Sequence, residues 1–282
     1  MLFQIQNDEV NKRAFLFVFN GDYIFTFLIK QHVMLSKESI KVNHEICLEL
    51  LDKFLAVCEK NQINYYLAFG SCLGAVRHHG FIPWDINIDV LMTKEEFERL
   101  DAAMQKEDLG NMKWWCPSER IFSLLMRNDS LDYETEPNID VSLYSNAPNN
   151  KFMRWLVFRA AYFNIKMFKL KNTKVKRAFP YNILKFITSL IPNGCYIGFV
   201  NMISKIRKGK KSMYNMVLLP SVWKNREYIK TEWYGDTPTY GTFEGRKVKI
   251  LKNYHEYLTM RYGDYMTPTV WEEKGEYKHV AK

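Results

Sequence analysis

The chain has 282 residues and a mass of 33.6 kDa, with 47% hydrophobic and 25% charged residues and a net charge of +9, which allows a substantial core and excludes a disordered or low-complexity protein. Its five cysteines, Cys47, Cys58, Cys72, Cys116 and Cys195, are odd in number and scattered, without a CxxC pair or a Cys/His cluster. That pattern excludes a disulfide framework or a structural zinc site and points to a reducing, cytoplasmic setting. Charge is unevenly spread: no Asp or Glu occurs between Val141 and Arg226, where Lys and Arg number 17, so the remainder carries −8.

In chain order, MLFQIQNDEVNKR lacks the arrangement of a secretory signal. Asn20-Gly21 between two aromatic and β-branched runs predicts a hairpin over residues 15–29, and residues 1–33 read as an N-terminal extension. Apolar residues from Ile40 to Val57 recur at helical spacing, predicting a helix over 36–63 with Ser36 as its N-cap. NYYLAFGS is a short apolar strand ending at Gly70-Ser71, and SCLGAVRHHG is a brief helix begun at Ser71 and stopped by Gly80.

Pro83 favours extended backbone at Ile82, and DINIDVLM reads as a strand that gives way at Thr93 to the helix TKEEFERLDAAMQ, with Thr93 and Glu96 as a capping box. KWWCPSERIFSLLMRND and EPNIDVSLYSN supply further strands, the second centred on Asp140. From Lys151 the chain is aromatic, basic and helically spaced. Its longest uncharged run, Phe186–Ser204, is interrupted by Pro192, Asn193 and Gly194, which argues against one membrane-spanning helix. The basic cluster KIRKGKK, residues 205–211, follows, and mixed charge returns to the C-terminus.

The chemistry concentrates in GFIPWDINIDV. On a strand, Asp85, Asn87 and Asp89 share one face. Two carboxylates and an amide oxygen, joined by Asp140 from a neighbouring strand, suit a hard divalent cation that also holds substrate phosphates. Gly70-Ser71, at the start of a helix, suits the phosphates themselves, and Arg77 and His78 lie within reach of phosphate oxygens or of an acceptor. Taken alone, the D-x-N-x-D strand is equally a solvated sheet face or a calcium-like loop. His78 and His79 are equally plain surface residues.

GSCLGAVRHHGFIPWDINIDVLMTKEEFERL resembles the signature of the LicD family, Gly-Thr/Ser-Leu-Leu-Gly-Ala-x-Arg-His-x-Gly-Phe-Ile-Pro-Trp-Asp-Asp-Asp-Ile-Asp, and FEGRKVKILKNYHEYLTMRYGDYM is similar to the family's closing segment, which ends near His279. The resemblance covers roughly residues 36–282. It implies an α+β fold: a nucleotidyltransferase-like mixed sheet flanked by helices over 34–150, a basic helical subdomain over 151–213, and a C-terminal part of the same domain over 214–282.

It also implies a phosphotransferase that moves a phosphorylated alcohol such as phosphocholine from a CDP-activated donor to a hydroxyl of a glycan or lipid-linked glycan, with Mg²⁺, or Mn²⁺, as cofactor. Gly70 and Ser71 then match the phosphate-binding turn, Arg77 and His78 further donor-binding positions, and Asp89 and Asp140 the metal carboxylates. Asp85 or Asp140 is the candidate base. The departure is Asn87, a neutral amide where the family carries a metal carboxylate. It keeps open an alternative, a non-catalytic nucleotide- or glycan-binding relative with a degenerate metal site. The acid-free stretch suits an anionic membrane surface, with KIRKGKK anchoring a peripheral enzyme at the inner face, or a basic channel for an anionic substrate. No nucleic-acid-binding module is recognised.

Overall fold

The structure, a computed structural model, describes residues 2–7, 12–19, 23–28, 37–115, 123–130, 136–172, 181–205, 212–217, 228–234 and 239–268. The chain divides into two compact units at residue 40. The first holds β1 (Leu2–Asn7), β2 (Lys12–Phe19) and β3 (Tyr23–Leu28) in one antiparallel sheet. β2 and β3 form the expected hairpin, pairing from Ala14↔Leu28 to Phe19↔Tyr23, and β1 adds a strand that residue pattern alone did not announce. The turn residues Asn20 and Gly21 lie outside the described residues.

Helix α1 (Lys37–Lys60) lies in the second unit from Lys41 on, and its buried stripe of Cys47, Leu50, Leu51, Phe54, Val57 and Cys58 follows the helical period. Ser36, the expected cap, lies outside the described residues. Then come β4 (Tyr66–Leu67), α2 (Phe69–Leu73), a π-helical turn over Gly74–His78, β5 (Asn87–Thr93) and α3 (Lys94–Met104). Thr93 caps α3, its Oγ1 accepting from the Glu96 amide at 3.2 Å. The capping box is only half formed, because the Glu96 carboxylate turns outward to accept from the Asn64 amide at 3.2 Å.

β6 (Met112–Trp115), β7 (Ser123–Arg127) and β8 (Asn138–Ala147) follow. Next are α4 (Lys151–Asn172), α5 (Tyr181–Ser189) and α6 (Asn193–Ser204). The chain continues through β9 (Tyr214–Val217), β10 (Tyr228–Lys230), β11 (Thr239–Phe243), β12 (Arg246–Ile250) and α7 (Tyr254–Tyr262).

Seven strands make one mixed sheet, ordered β10-β9-β8-β5-β4, with β7 on β8 and β6 on β7. β8 organises it. One edge pairs in parallel with the whole of β5; the other is shared, its N-terminal half taking β7 and its C-terminal half taking β9, both antiparallel. Ile88, Val90, Met92, Ile139, Val141 and Leu143 share one face of the sheet and are all buried, as expected for the core-facing side of central strands. The α+β architecture anticipated from sequence is therefore present. β9 and β10 rejoin the sheet from beyond the basic helices.

Helices α4 and α6 pack into the core that covers the sheet, through Phe158, Ala161, Ile165, Val200 and Ile203. α5 and α6 are bent by 80° at the Pro192 break, and among the described residues no single helix is long and apolar enough to cross a membrane. KIRKGKK beyond Lys205 and His279 lie outside the described residues.

Candidate functional site

The parallel register sets the site. Asn87 pairs with Asn138 and Asp89 with Asp140, so two amides and two carboxylates stand side by side in successive rows on two central strands. Neighbouring strands lie about 4.8 Å apart, close enough for both carboxylates to address one ligand. Asp89 is only 3% exposed and Asp140 is half-buried. Two carboxylates thus stand side by side in one row, one of them nearly buried. Asn87 shares the face: its Nδ2 donates to Asp89 Oδ1 at 3.2 Å. The neutral residue at the position expected for a carboxylate thus supplies a donor to its neighbour.

Asp89 is also gripped through its backbone. Its carbonyl accepts from the Ala68 amide at 2.9 Å, and its own amide donates to Ser71 Oγ at 2.8 Å. Ser71 is 3% exposed. The Ser71 hydroxyl is occupied in fastening α2 to β5. Ser71→Ala strands the Asp89 amide in the core and is expected to cost about 1–3 kcal/mol of stability, read as a lowered urea midpoint; an unchanged midpoint would contradict this placement.

The Gly-Ser pair sits differently from the expected strand-turn-helix order. α2 already begins at Phe69, with Ala68 as its N-cap, so Gly70 and Ser71 occupy its first turn, where backbone amides have no carbonyl of their own helix to meet. Phe69 carries the strain of the sharp entry, at φ 48°. It is held on two sides: Tyr257 Oη accepts from its amide at 3.1 Å, and the Arg261 guanidinium lies 4.1 Å above its ring. Both partners come from α7, which gives the C-terminal segment a structural role at this turn.

Asp85 is not on the strand. β5 starts at Asn87, and Asp85 closes a turn in which its amide donates to the Ile82 carbonyl at 2.9 Å. Pro83 and Trp84 occupy that turn, and the alternation read from sequence breaks there. The Asp85 carboxylate reaches α2 instead: a Cβ at Gly70 would lie 2.5 Å from Asp85 Oδ2. Gly70 is needed for this approach. The three predicted catalytic carboxylates are therefore divided, with Asp89 and Asp140 together and Asp85 at the helix turn. Among the described residues, no group of three or more His, Cys, Asp or Glu side chains could hold a metal ion by itself.

Two residues unmarked in sequence hold this turn. His44 on α1 stacks on Phe81, ring centroids 4.0 Å apart, and its Nε2 lies 2.9 Å from the Asp85 carbonyl. Cys47, one turn on, donates its thiol to the Ile86 carbonyl at 3.1 Å. Burial lowers the His44 pKa below its ordinary 6.5, against the opposing pull of the Asp85 carbonyl and of Glu244. The folded chain therefore keeps the imidazole neutral where the unfolded chain would already be protonated. Stability should fall as pH drops below about 6.5, and His44→Gln should flatten that slope in urea titrations between about pH 5 and 7.5. Parallel slopes for the two proteins would contradict it.

Arg77 and His78 close the π-helical turn. Arg77 Nη1 donates to the Tyr265 carbonyl at 2.9 Å and its Nε to His78 Nε2 at 3.0 Å, with His78 itself exposed. The pair is assembled with the C-terminal segment, several residues beyond Gly70. His79 follows at φ 54°. Its carbonyl accepts from the Glu244 amide at 2.8 Å, and Glu244 Oε1 accepts from the Phe81 amide at 3.3 Å. Glu244 and Gly245, at φ 47° and 76°, make the tight β11-β12 turn that brings this contact in.

A separate cavity of about 610 Å³ lies where β9, β10 and α7 meet, lined by Arg154, Tyr214, Tyr228, Trp233, His255 and Glu256 among others. Arg154 stacks over Tyr214 at 3.8 Å, so a cation already covers one aromatic face.

Known proteins resemble this chain in the stretch that carries the site. Residues 62–189 match the family model described as LicD/FKTN/FKRP, nucleotidyltransferase domain, a span that contains the α2 turn, β5 and β8. The lipopolysaccharide cholinephosphotransferase LicD of Haemophilus influenzae is 27% identical, over 82% of this chain and 93% of its own length. An uncharacterized protein of Rickettsia prowazekii is 32% identical over 34% of this chain and 40% of its own, and one of Rickettsia typhi 25% over 57% and 53%. The resemblance read from the sequence signature is borne out.

Proposed function

Starting from a chain whose residues 62–189 are a LicD-family domain, we propose that this protein transfers a phosphorylated alcohol from a CDP-activated donor to a hydroxyl of a glycan or lipid-linked glycan. Phosphocholine is the first candidate cargo, because the Haemophilus relative is named a lipopolysaccharide cholinephosphotransferase. The observation that carries the reading is the register of β5 on β8, which sets a nearly buried Asp89 beside Asp140, near a helix turn where Gly70 lets the Asp85 carboxylate approach.

The donor set suits Mg²⁺, which takes hard oxygen ligands and is commonly held by one or two carboxylates, with substrate phosphates filling the rest; Mn²⁺ accepts the same groups. Asp89 and Asp140 would hold it, and Asn87 can add a neutral oxygen once its amide turns from Asp89. When bound, the ion offsets the negative charge of the donor phosphates. The chain's own groups do the positioning. Amides of Gly70 and Ser71 at the first turn of α2 meet phosphate oxygens, and Ser71 keeps that turn fixed to the strand that carries Asp89. Arg77 and His78 complete the donor side. Asp85, beside Gly70, takes the acceptor's proton as its oxygen attacks phosphorus; the bond to CMP breaks and CMP leaves.

The test is release of CMP from CDP-choline, CDP-ribitol and CDP-glycerol with Mg²⁺ and a glycan acceptor. One donor should be consumed. No release from any of them, with Asn87→Asp equally silent, would overturn the reading. A second reading, a nucleotide- or glycan-binding relative without turnover, is favoured by one observation: the Asn87 amide already gives Asp89 a partner. Donor binding that ignores Mg²⁺ and yields no CMP would select it.

A further inference from the structure

Helix α5 is built inside out. Ile183, Leu184, Phe186 and Ile187 are exposed, Phe186 at 64%, and the turn that follows exposes Leu190 at 68% and Ile191, while among the described side chains of α5 the buried one is the polar Thr188, 2% exposed. The helix is anchored at the rear by backbone: Tyr196 Oη donates to the Thr188 carbonyl at 3.3 Å, and Lys171 Nζ donates to the Ile191 carbonyl at 2.5 Å. A helix in water normally turns its apolar stripe to the core. An apolar surface of this kind on an otherwise well-packed unit marks an interaction site.

The neighbouring helix α4 repeats the feature. Phe152, Leu156 and Phe163 fall on one stripe at helical spacing, with Trp155 beside them, and all four are exposed. Lys166 extends the same stripe and is exposed too. The whole of both helices lies within the stretch from Val141 to Arg226 that contains 17 Lys and Arg and no Asp or Glu. Apolar and aromatic side chains set in an all-basic surround are the complement of an anionic phospholipid interface: the apolar groups enter the acyl boundary and the cations meet the headgroups. Spanning is not the fit, because α5 has nine residues, about 14 Å of helix against a hydrocarbon core of about 30 Å, and α6 beyond the bend buries Tyr196, Val200 and Ile203 in the core.

We propose that the exposed apolar face of α5, with the Phe152–Phe163 stripe of α4, docks this protein on anionic phospholipid bilayers. The N-terminal end of the stripe, Phe152 and Trp155, also lines a cavity of about 650 Å³ together with Asn150, Arg154 and Tyr228. The docking face thus runs into a basic, aromatic hollow, where a lipid-carried substrate would meet the protein. The inference stands apart from the transfer reaction, since binding to vesicles is read without donor or turnover.

The test is flotation of the full chain with phosphatidylcholine vesicles, with and without phosphatidylglycerol. The protein should float with the anionic vesicles, less so in high salt, and the double variant Phe186→Glu with Leu190→Glu should bind at least about tenfold more weakly at an unchanged melting temperature. Should that variant misfold, Phe186→Gln alone carries the comparison, with a smaller loss expected. No flotation with anionic vesicles, or equal flotation of a folded variant, would overturn the proposal. So would a dimer in sedimentation that the variant dissociates while vesicles bind neither protein, because the face would then cover a second copy.

Discussion

Asp140→Asn is expected to lower transfer by about 10³-fold, equivalent to about 4 kcal/mol of lost transition-state stabilisation, with the fold intact. Asp140 is the cleaner of the two carboxylates to change. It is half-buried, whereas Asp89 is nearly closed off and fastened through its amide, its carbonyl and Asn87. Asparagine keeps the size and an oxygen at position 140 but removes the charge that sits beside Asp89 in the register. Without metal the variant should melt no lower than the parent, since a like-charge neighbour has been removed. Initial rates at saturating donor, with thermal melts alongside, check both halves. A variant that turns over at the parental rate would mean that Asp140 does not serve the reacting phosphates.

Asn87→Asp should act in opposite directions on stability and on metal. It breaks the donation from Asn87 Nδ2 to Asp89 Oδ1 and puts a third carboxylate among Asp89 and Asp140. In chelator the variant is expected to lose about 1–3 kcal/mol of stability, from the lost hydrogen bond and the added repulsion. In Mg²⁺ it should recover more than the parent gains, because a charged oxygen replaces a neutral one and binding to the folded state alone raises stability. Melting curves with and without Mg²⁺ show it directly. Equal metal shifts in the two proteins would place residue 87 outside the ion's reach.

The elements of the site were legible in sequence because local pattern specifies them. Thr93 before an acidic first turn marks the start of α3, alternation of apolar residues marks β5 and β8, and the stripe from Cys47 to Cys58 marks α1. The pairing of β5 with β8 has no local signal, so Asp140 could be nominated from its NIDVSLY context while the row of Asn87 with Asn138 could not. Asp85 was misplaced on the strand because periodicity alone cannot see that Pro83 and Trp84 form a turn that releases it toward Gly70.

His44, Cys47, Tyr257 and Glu244 were missed for a different reason. Each side chain meets a backbone group across 41, 39, 188 and 163 residues of sequence respectively, a pairing that no local pattern announces. An acidic residue at a hairpin tip, as Glu244 is, gives no hint of the backbone it will meet. The inverted face of α5 was half visible: its apolar content stood out in the sequence, but only packing reveals that Thr188 turns inward and Phe186 outward.

The most direct test of a donor site built on Asp89 and Asp140 is calorimetric titration of the full chain with CDP-choline, with Mg²⁺ and then in chelator. The account predicts binding in Mg²⁺ that weakens in chelator and a smaller Mg²⁺ dependence in Asp140→Asn. Equal affinity for the nucleotide with and without the ion, retained in Asp140→Asn, would contradict it.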